Sequence, residues 1–360
     1  MDALTSAPAA ADGGGIEFTG NWREYLPIAI TNALLIICTL GIYRFWAAAR
    51  QRRYLWSRTR FIDDSLEWTG TGREMFFGFL LVMCVLVPFF LFFQFLFPAL
   101  VARGKADAAF GIFSLFYIAL IYLGGFARFR ALRYRLSRTY WHGIRGGSDD
   151  PGWNYGGEYL GRFALAAITM FIMFPWAATR LWNARWKAMS FGPLQFRSSL
   201  DSEGLIGRWA LIYAAPIAMF VLILTGLEGL RASSAAVGGF SIWHLFVLFG
   251  LLFYFAIPLA TLHWYAKYFR NAAEATKIGE LEFAFDATTL QWLGLFLGNL
   301  ALAVVTLGFG LTYWGYRNWS FMVRHLKVYG SVELCELTQS TTHAPREAEG
   351  FADAFDVGAI

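Results

Sequence analysis

Cysteine is scarce in this chain: Cys38, Cys84 and Cys335 stand singly, with no Cys-x-x-Cys spacing and no histidine beside them. That excludes a disulfide framework and a cysteine-based metal centre. The five histidines, His142, His244, His263, His325 and His343, are scattered, and none falls in a His-x-x-x-His pair. No metal site, cofactor motif or Ser-His-Asp set can be nominated, so the chain is expected not to be an enzyme. Charge is thin as well, at 15% of residues, and no Asp or Glu sits in the middle of an apolar run, Glu228 lying close to a loop. A carboxylate proton relay therefore has no support. The stretch to Gly15 is small and polar, without the basic region and apolar core of a cleaved signal. Residues 1–15 are expected to be disordered, and the first apolar segment to act as its own insertion signal.

What is abundant points to a bilayer. The chain is 57% hydrophobic and 19% aromatic, with 36 Phe and 15 Trp, and its mean hydropathy is +0.46. The apolar residues cluster into seven segments, about Tyr25 to Trp46, Met75 to Leu100, Ala108 to Phe126, Phe163 to Ala178, Leu205 to Leu227, Phe240 to Leu262 and Leu290 to Trp314. Crossing a bilayer takes roughly 20 such residues in a helix. The segments alternate with a basic motif seen most clearly in Arg53-Tyr54-Leu55-Trp56-Ser57-Arg58-Thr59 and Arg133-Tyr134-Arg135-Leu136-Ser137-Arg138-Thr139, which share five of seven positions at an offset of 80 residues. Self-similarity of this kind is the mark of repeated units.

The first, fourth and seventh segments resemble one another in Thr39-Leu40-Gly41, in Pro175-Trp176 and in Thr306-Leu307-Gly308 with Trp314. They predict tandem halves at about 20–156 and 157–289 and a terminal half-unit at 290–337. The whole span 16–337 is read as one membrane domain. The expected fold class is an all-α multi-pass membrane protein, built from short, re-entrant helices and paired transmembrane helices. Alternating sequence after each basic motif predicts small β-hairpins. Their turns fall at Asp63-Asp64, Gly192-Pro193, Gly279-Glu280 and Gly330-Ser331, while the copy at Trp141-His142-Gly143-Ile144-Arg145 looks degenerate. A lone hairpin is marginal in water, so these should pair with each other or lie on helix ends, outside the hydrocarbon. The tail 338–360, with Glu347, Glu349, Asp353 and Asp356 against Arg346, predicts a disordered acidic terminus.

Of the 30 Lys and Arg, Arg103, Lys105 and Arg231 lie in the loops joining the long-helix pairs and Arg23 and Arg346 are terminal; the other 25 fall in the basic motifs and their flanks. The positive-inside rule puts those motifs in the cytoplasm. Seven crossings would place the third and fourth motifs on the opposite face. If segments one, four and seven enter and leave on the same side, every motif faces the cytoplasm and four helices cross.

The run Leu34 to Trp46, with Thr39-Leu40-Gly41-Ile42-Tyr43 at its centre, then Arg53-Tyr54 and Glu67-Trp68-Thr69-Gly70-Thr71-Gly72, resembles the YjgN family of bacterial inner-membrane proteins, a family of unknown function. The likeness covers roughly residues 16–337. It departs where the family usually has Pro-Trp and this chain has Phe45-Trp46, the Pro-Trp appearing at Pro175-Trp176. The resemblance implies a multi-pass protein of the bacterial inner membrane and supplies no substrate or catalytic residue.

Candidate contacts for anionic lipid headgroups or a phosphorylated ligand are Arg50, Arg52, Arg53, Arg58, Arg130, Arg133, Arg135 and Arg138, since guanidinium pairs bidentately with phosphate. Topology anchoring explains the same residues. Asn32, Gln94 and Asn299 are the candidate intramembrane polar path, against plain inter-helix hydrogen bonding. Two functions fit. One is a transporter or channel for a solute, an analogy drawn from the repeat architecture that requires a cavity lined by those three residues. The other is a non-enzymatic envelope scaffold binding anionic lipid or a cytoplasmic partner through the basic hairpin face. The expected partner is the lipid bilayer, not nucleic acid.

Overall fold

The computed structural model describes residues 7–8, 15–232, 242–332 and 338–343. Its helices are α1 (Trp22–Cys38), α2 (Arg44–Ser57), α3 (Gly72–Ala102, with a π-helical turn at Phe92–Leu96), α4 (Ala106–Ser137), α5 (Trp153–Ile168), α6 (Phe174–Lys187), α7 (Ile206–Ala232), α8 (Ile242–Glu274), α9 (Thr289–Val305) and α10 (Leu311–His325).

Threonine breaks three of the apolar segments in the middle. Thr39, Thr169 and Thr306 each donate their hydroxyl to the carbonyl four residues back, of Leu35, Leu165 and Leu302, at 2.7, 3.0 and 2.6 Å. Each hydroxyl also accepts the amide four residues on, of Tyr43, Met173 and Gly310, at 2.9, 3.4 and 2.7 Å. Between these two bonds the backbone turns through paired left-handed residues, Leu40-Gly41, Met170-Phe171 and Leu307-Gly308. Glycine takes that conformation freely and the others at a cost. The segments 25–46, 163–178 and 290–314 therefore fold as helical hairpins, α1–α2, α5–α6 and α9–α10. The two ends of the first are held together: Tyr54 donates its hydroxyl to the Asn21 carbonyl at 3.0 Å, and Arg58 pairs with Glu24 at 2.8 Å. At the tips, Leu40, Met170 and Leu307 are 95%, 77% and 90% exposed. Thr306→Val, which keeps the shape and removes both hydrogen bonds, should cost about 1 kcal/mol, read as a lowered thermal midpoint of the detergent-solubilised protein. An unchanged midpoint would mean that the left-handed pair sets the turn alone.

Helices α3 and α4 pack on each other and are of a different kind. They run 31 and 32 residues, their most apolar windows average hydropathies of 2.8 and 2.0, and only 11% of each window is buried inside the protein. Phe90, Phe95 and Leu115 lie more than 60% exposed along them, at 63%, 65% and 69%. By length and composition these two can cross a membrane. Helix α7 packs against α8 in the same way; the loop between them, 233–241, lies outside the described residues.

The all-α expectation is overturned by the sheets. Eight strands pair antiparallel in the spatial order Leu326–Tyr329, Leu281–Phe285, Thr276–Ile278, Leu194–Ser198, Ser190–Phe191, Ile144–Gly147, Thr139–Trp141 and Glu67–Trp68. A second sheet joins Ile16–Phe18, Thr59–Phe61 and Asp64–Ser65. The chain from Asp64 to Trp68 links the two, with the Leu66 amide donating to the Thr59 carbonyl at 2.9 Å. The assembly curls: Ile16 and Phe61 from the small sheet share one apolar core with Trp141, Ile278, Leu281 and Val328 of the large one. Trp141 closes the seam, meeting the Phe61 ring edge-on at 5.2 Å and donating its indole N–H to the Phe61 carbonyl at 2.9 Å. Each hairpin alone would leave open edges, and pairing them around a shared core removes most of those edges.

The hairpin turns fall at Gly192-Pro193 and Gly279-Glu280 as expected, and one residue early, at Ile62-Asp63, in the first copy. The copy that looked degenerate is a regular hairpin, because His142 and Gly143 both take positive φ, at 50° and 72°. The last copy is not a hairpin: Leu326–Tyr329 joins the large sheet, and beyond Gly330 the chain leaves to pair Ser331–Val332 with Ala7–Pro8. Residues 338–343 lie against the second hairpin, where the Gln339 amide donates to the Gly143 carbonyl at 2.8 Å. The tail from 344 on, and most of 1–15, lie outside the described residues.

Helix ends and sheet are stapled by tryptophan. The indole N–H groups of Trp56, Trp182 and Trp319 donate to the hydroxyls of Thr139, Thr276 and Thr59, at 2.9, 3.0 and 2.8 Å. Trp56 and Trp319 stack 4.1 Å apart, bringing α2 and α10 together. Tyr25 donates to the Thr312 carbonyl and Tyr316 to the Gly20 carbonyl, both at 3.0 Å, so the first and last helical hairpins meet.

Candidate functional site: cavities at the basic helix ends

Helices α2, α4, α6, α8 and α10 each carry Arg or Lys within their last two turns, in the last turn itself for α4, α6 and α10, and each runs on into a paired strand, so their ends form one layer under the curled sheet. Three cavities among the described residues lie in and next to this layer. One, of about 170 Å³, is inside the sheet and wholly apolar, with Trp141, Phe191, Phe196 and Leu281 among its walls. A second, of about 600 Å³, lies between α2, α4, α8 and α10 and is lined by Gln51, Arg52, Arg135 and Asn318 together with Trp56 and Trp319.

The third, of about 300 Å³, lies between α4, α5, α6 and α8. Arg128 and Arg185 mark one end, and Tyr155, Tyr159, Tyr265 and Tyr268 line its walls. Phe163, Ala166 and Phe174 carry it toward the tip of the α5–α6 hairpin. Arg185 is 6% exposed, its Nε is buried without a hydrogen-bond partner, and its guanidinium lies over the Trp182 ring at 5.3 Å. Arg128 is exposed and sits over Tyr159 at 5.1 Å.

The eight arginines singled out from the sequence divide by environment. Arg58 and Arg138 are held in ion pairs, with Glu24 at 2.8 Å and Glu74 at 3.0 Å. Arg130 and Arg133 donate to the carbonyls of Pro151 and Asp150 at 3.2 and 3.0 Å, fixing the loop that follows the second hairpin. Arg52 is buried over the Trp68 ring at 5.1 Å and, with Arg135, lines the second cavity. Arg50 and Arg53 are exposed on α2.

Asn32, Gln94 and Asn299 are not brought together. Asn32 is 2% exposed and donates to the Ala47 carbonyl at 3.4 Å inside the first helical hairpin. Asn299 donates to Asn318 at 2.8 Å inside the last one, and Gln94 is exposed on the π-helical turn of α3. None of the three lines a cavity described above. The residues missed were Arg128, Arg185 and the tyrosines around them. Arg185 is preceded and followed by tryptophans, Trp182 and Trp186, which read as an interface belt, and nothing local marks its lack of a counter-charge. Among the described residues no group of His, Cys, Asp and Glu could hold a metal ion.

Comparison with known proteins agrees with the resemblance seen in the sequence. Inner membrane protein YjgN of Salmonella typhimurium is 29% identical over 130 residues, covering 36% of this chain and 30% of that protein. Its namesake from Escherichia coli O157:H7 is 31% identical over 128 residues, covering 36% and 29%. The chain thus matches less than a third of the length of either relative. No solved structure matches. The family described as bacterial protein of unknown function (DUF898) matches residues 14–354, and the chain belongs to it.

Proposed function

We propose that the protein is a multi-pass protein of the bacterial inner membrane whose basic helix-end layer faces the cytoplasm, and that it is a non-enzymatic component binding anionic headgroups there. One observation carries this: five helix ends bring their cations to a single layer against the sheet, while the opposite ends of the helical hairpins expose Leu40, Met170 and Leu307. Apolar tips and a cationic base are the two ends of an element set into one leaflet, because hydrocarbon accepts the first and anionic headgroups attract the second. The open sheet edges that remain must lie outside the hydrocarbon, which agrees with the same orientation. On this reading α1–α2, α5–α6 and α9–α10 are re-entrant, α3, α4, α7 and α8 cross, and the units repeat in tandem. The name of the YjgN relatives supports the location. The transport reading needed a common cavity for Asn32, Gln94 and Asn299, but Asn32 and Asn299 lie in separate helical hairpins and Gln94 is exposed.

Single cysteines test the orientation, in a background lacking Cys38, Cys84 and Cys335. In intact cells an impermeant thiol reagent should label Ala106→Cys, at the start of α4, and spare Ser190→Cys in the sheet and Glu280→Cys in a hairpin turn. Labelling at 190 and 280 would sink the single basic face.

A further inference from the structure

We infer that the cavity between α4, α5, α6 and α8 binds one phosphate-bearing amphiphile, its headgroup between Arg128 and Arg185 and its apolar part along Phe163, Ala166 and Phe174. This deepens the headgroup-binding reading above and rests on it for the source of the ligand.

The argument starts from Arg185. Taking a guanidinium out of water without a counter-charge costs several kcal/mol; Arg185 is 6% exposed, its Nε is buried without a hydrogen-bond partner, and no ion pair to it is present among the described residues. Helix α6 carries no acidic residue, and the one acid of α5, Glu158, is paired with Arg162 at 2.9 Å. The buried Arg133, by contrast, donates to a backbone carbonyl. Arg185 faces a cavity that a second cation, Arg128, also lines. The missing partner is therefore an anion, and two guanidinium groups with nearby phenols are suited to a phosphate oxygen cluster. Tyr155 and Tyr265 both line the space and have no hydrogen-bond partner among the described residues, leaving two hydroxyls able to donate. Tyr268 is already committed to the Ala178 carbonyl at 3.3 Å.

The other end of the cavity says what the anion is attached to. Eleven residues separate Phe174 from Arg185 on α6, as they do Tyr155 from Ala166 on α5, which is about 16 Å of helix at 1.5 Å per residue. Over that length the lining changes from guanidinium and phenol to Phe163, Ala166 and Phe174. It ends near the hairpin turn whose Met170 and Phe171 are 77% and 40% exposed. A volume of about 300 Å³ is at the small end of ligand pockets; it would hold a headgroup and the start of a chain, with the remainder outside. A free phosphate would use only the basic end.

The test is calorimetric titration of the full chain in maltoside detergent with dihexanoylphosphatidylglycerol, glycerol 3-phosphate and inorganic phosphate. The short-chain lipid should bind, at least tenfold more tightly than either soluble phosphate, and Arg185→Gln and Arg128→Gln should each weaken it tenfold or more. Arg128 is exposed, so its variant reports on the site even where Arg185→Gln fails to fold. Equal binding of glycerol 3-phosphate, lost in the same variants, would keep the phosphate site and overturn the amphiphile. Lipid affinity unchanged in Arg128→Gln would overturn the site itself. Because the titration is blind to sidedness, a failure of the thiol-labelling test and a failure here are separate results.

Discussion

Glu74→Ala should destabilise the protein by about 3 kcal/mol, since removing one partner of a largely buried pair strands the other. Glu74 lies in the first turn of α3, whose amide end is capped by Thr71. Its two oxygens are divided between residues of α4. Oε2 accepts the hydroxyl of Tyr134, a side chain with no exposure, at 2.7 Å, and Oε1 pairs with Arg138 at 3.0 Å. The pair keeps some contact with solvent, 19% and 15% of the two side chains, which sets the loss at the lower end of the range for buried pairs. The carboxylate also sits favourably at a helix amino terminus. Glu74→Gln retains an acceptor for Tyr134 and should cost about 1 kcal/mol. Urea unfolding in detergent followed by tryptophan fluorescence would measure both. A loss below 1 kcal/mol in the alanine variant would show that α3 and α4 are held by apolar packing alone.

Gly330→Val should be the most damaging single change in the sheet. Gly330 has φ +105°, and a Cβ placed there would lie 2.4 Å from the Glu280 carbonyl oxygen, a backbone atom that cannot rotate away. Strain of about 1–3 kcal/mol for the dihedral adds to an overlap that overpacking data put at about 1–3 kcal/mol. The strand Leu326–Tyr329 would be pushed off Leu281–Phe285, at the far edge of the large sheet. Gly41→Ala is the control: its φ is +92° but nothing lies within 4 Å, so it should show the dihedral strain alone. Limited proteolysis after Lys327 and the unfolding midpoint should separate the two. Equal, small effects would mean that the Gly330 turn relaxes without cost to the sheet.

How much of this could be read from the chain depends on the range of each interaction. The three Thr-centred turns act over four residues in each direction, and their recurrence in Thr39-Leu40-Gly41 and Thr306-Leu307-Gly308 was visible as a motif. That these segments turn back was inferred from the distribution of Lys and Arg and not from the motif itself, whose fourth-segment copy has Phe171 in the left-handed position where a glycine would have announced the turn. Hairpin turns were legible from Gly192, Gly279 and their neighbours for the same local reason. His142-Gly143 was misread because histidine seldom takes positive φ, although Gly143 beside it makes the turn possible.

The arginines of the basic motifs were found by composition and then divided by contacts that no local pattern specifies: Arg138 meets Glu74 across 64 residues, and Arg58 meets Glu24 across 34. Arg185 was passed over because burial without a counter-charge depends on what four separate helices leave out.

Composition alone determined that much of this chain needs a nonaqueous neighbour, since 57% hydrophobic and 15% charged residues leave more apolar surface than one core of this length can hide. Local sequence determined the seven apolar segments and most hairpin turns, because periodicity and turn residues act within a few positions, but not that three of those segments divide into two helices each. Only the tertiary structure decided that separate hairpins of two to five residues per strand join into a curled eight-stranded sheet, that Trp319 reaches back to Thr59, and that Arg185 is buried beside a cavity without an ion-pair partner among the described residues. Those outcomes turn on edge pairing and charge balance between segments far apart in the chain, where many partners are chemically equivalent and the packing of the whole chooses among them.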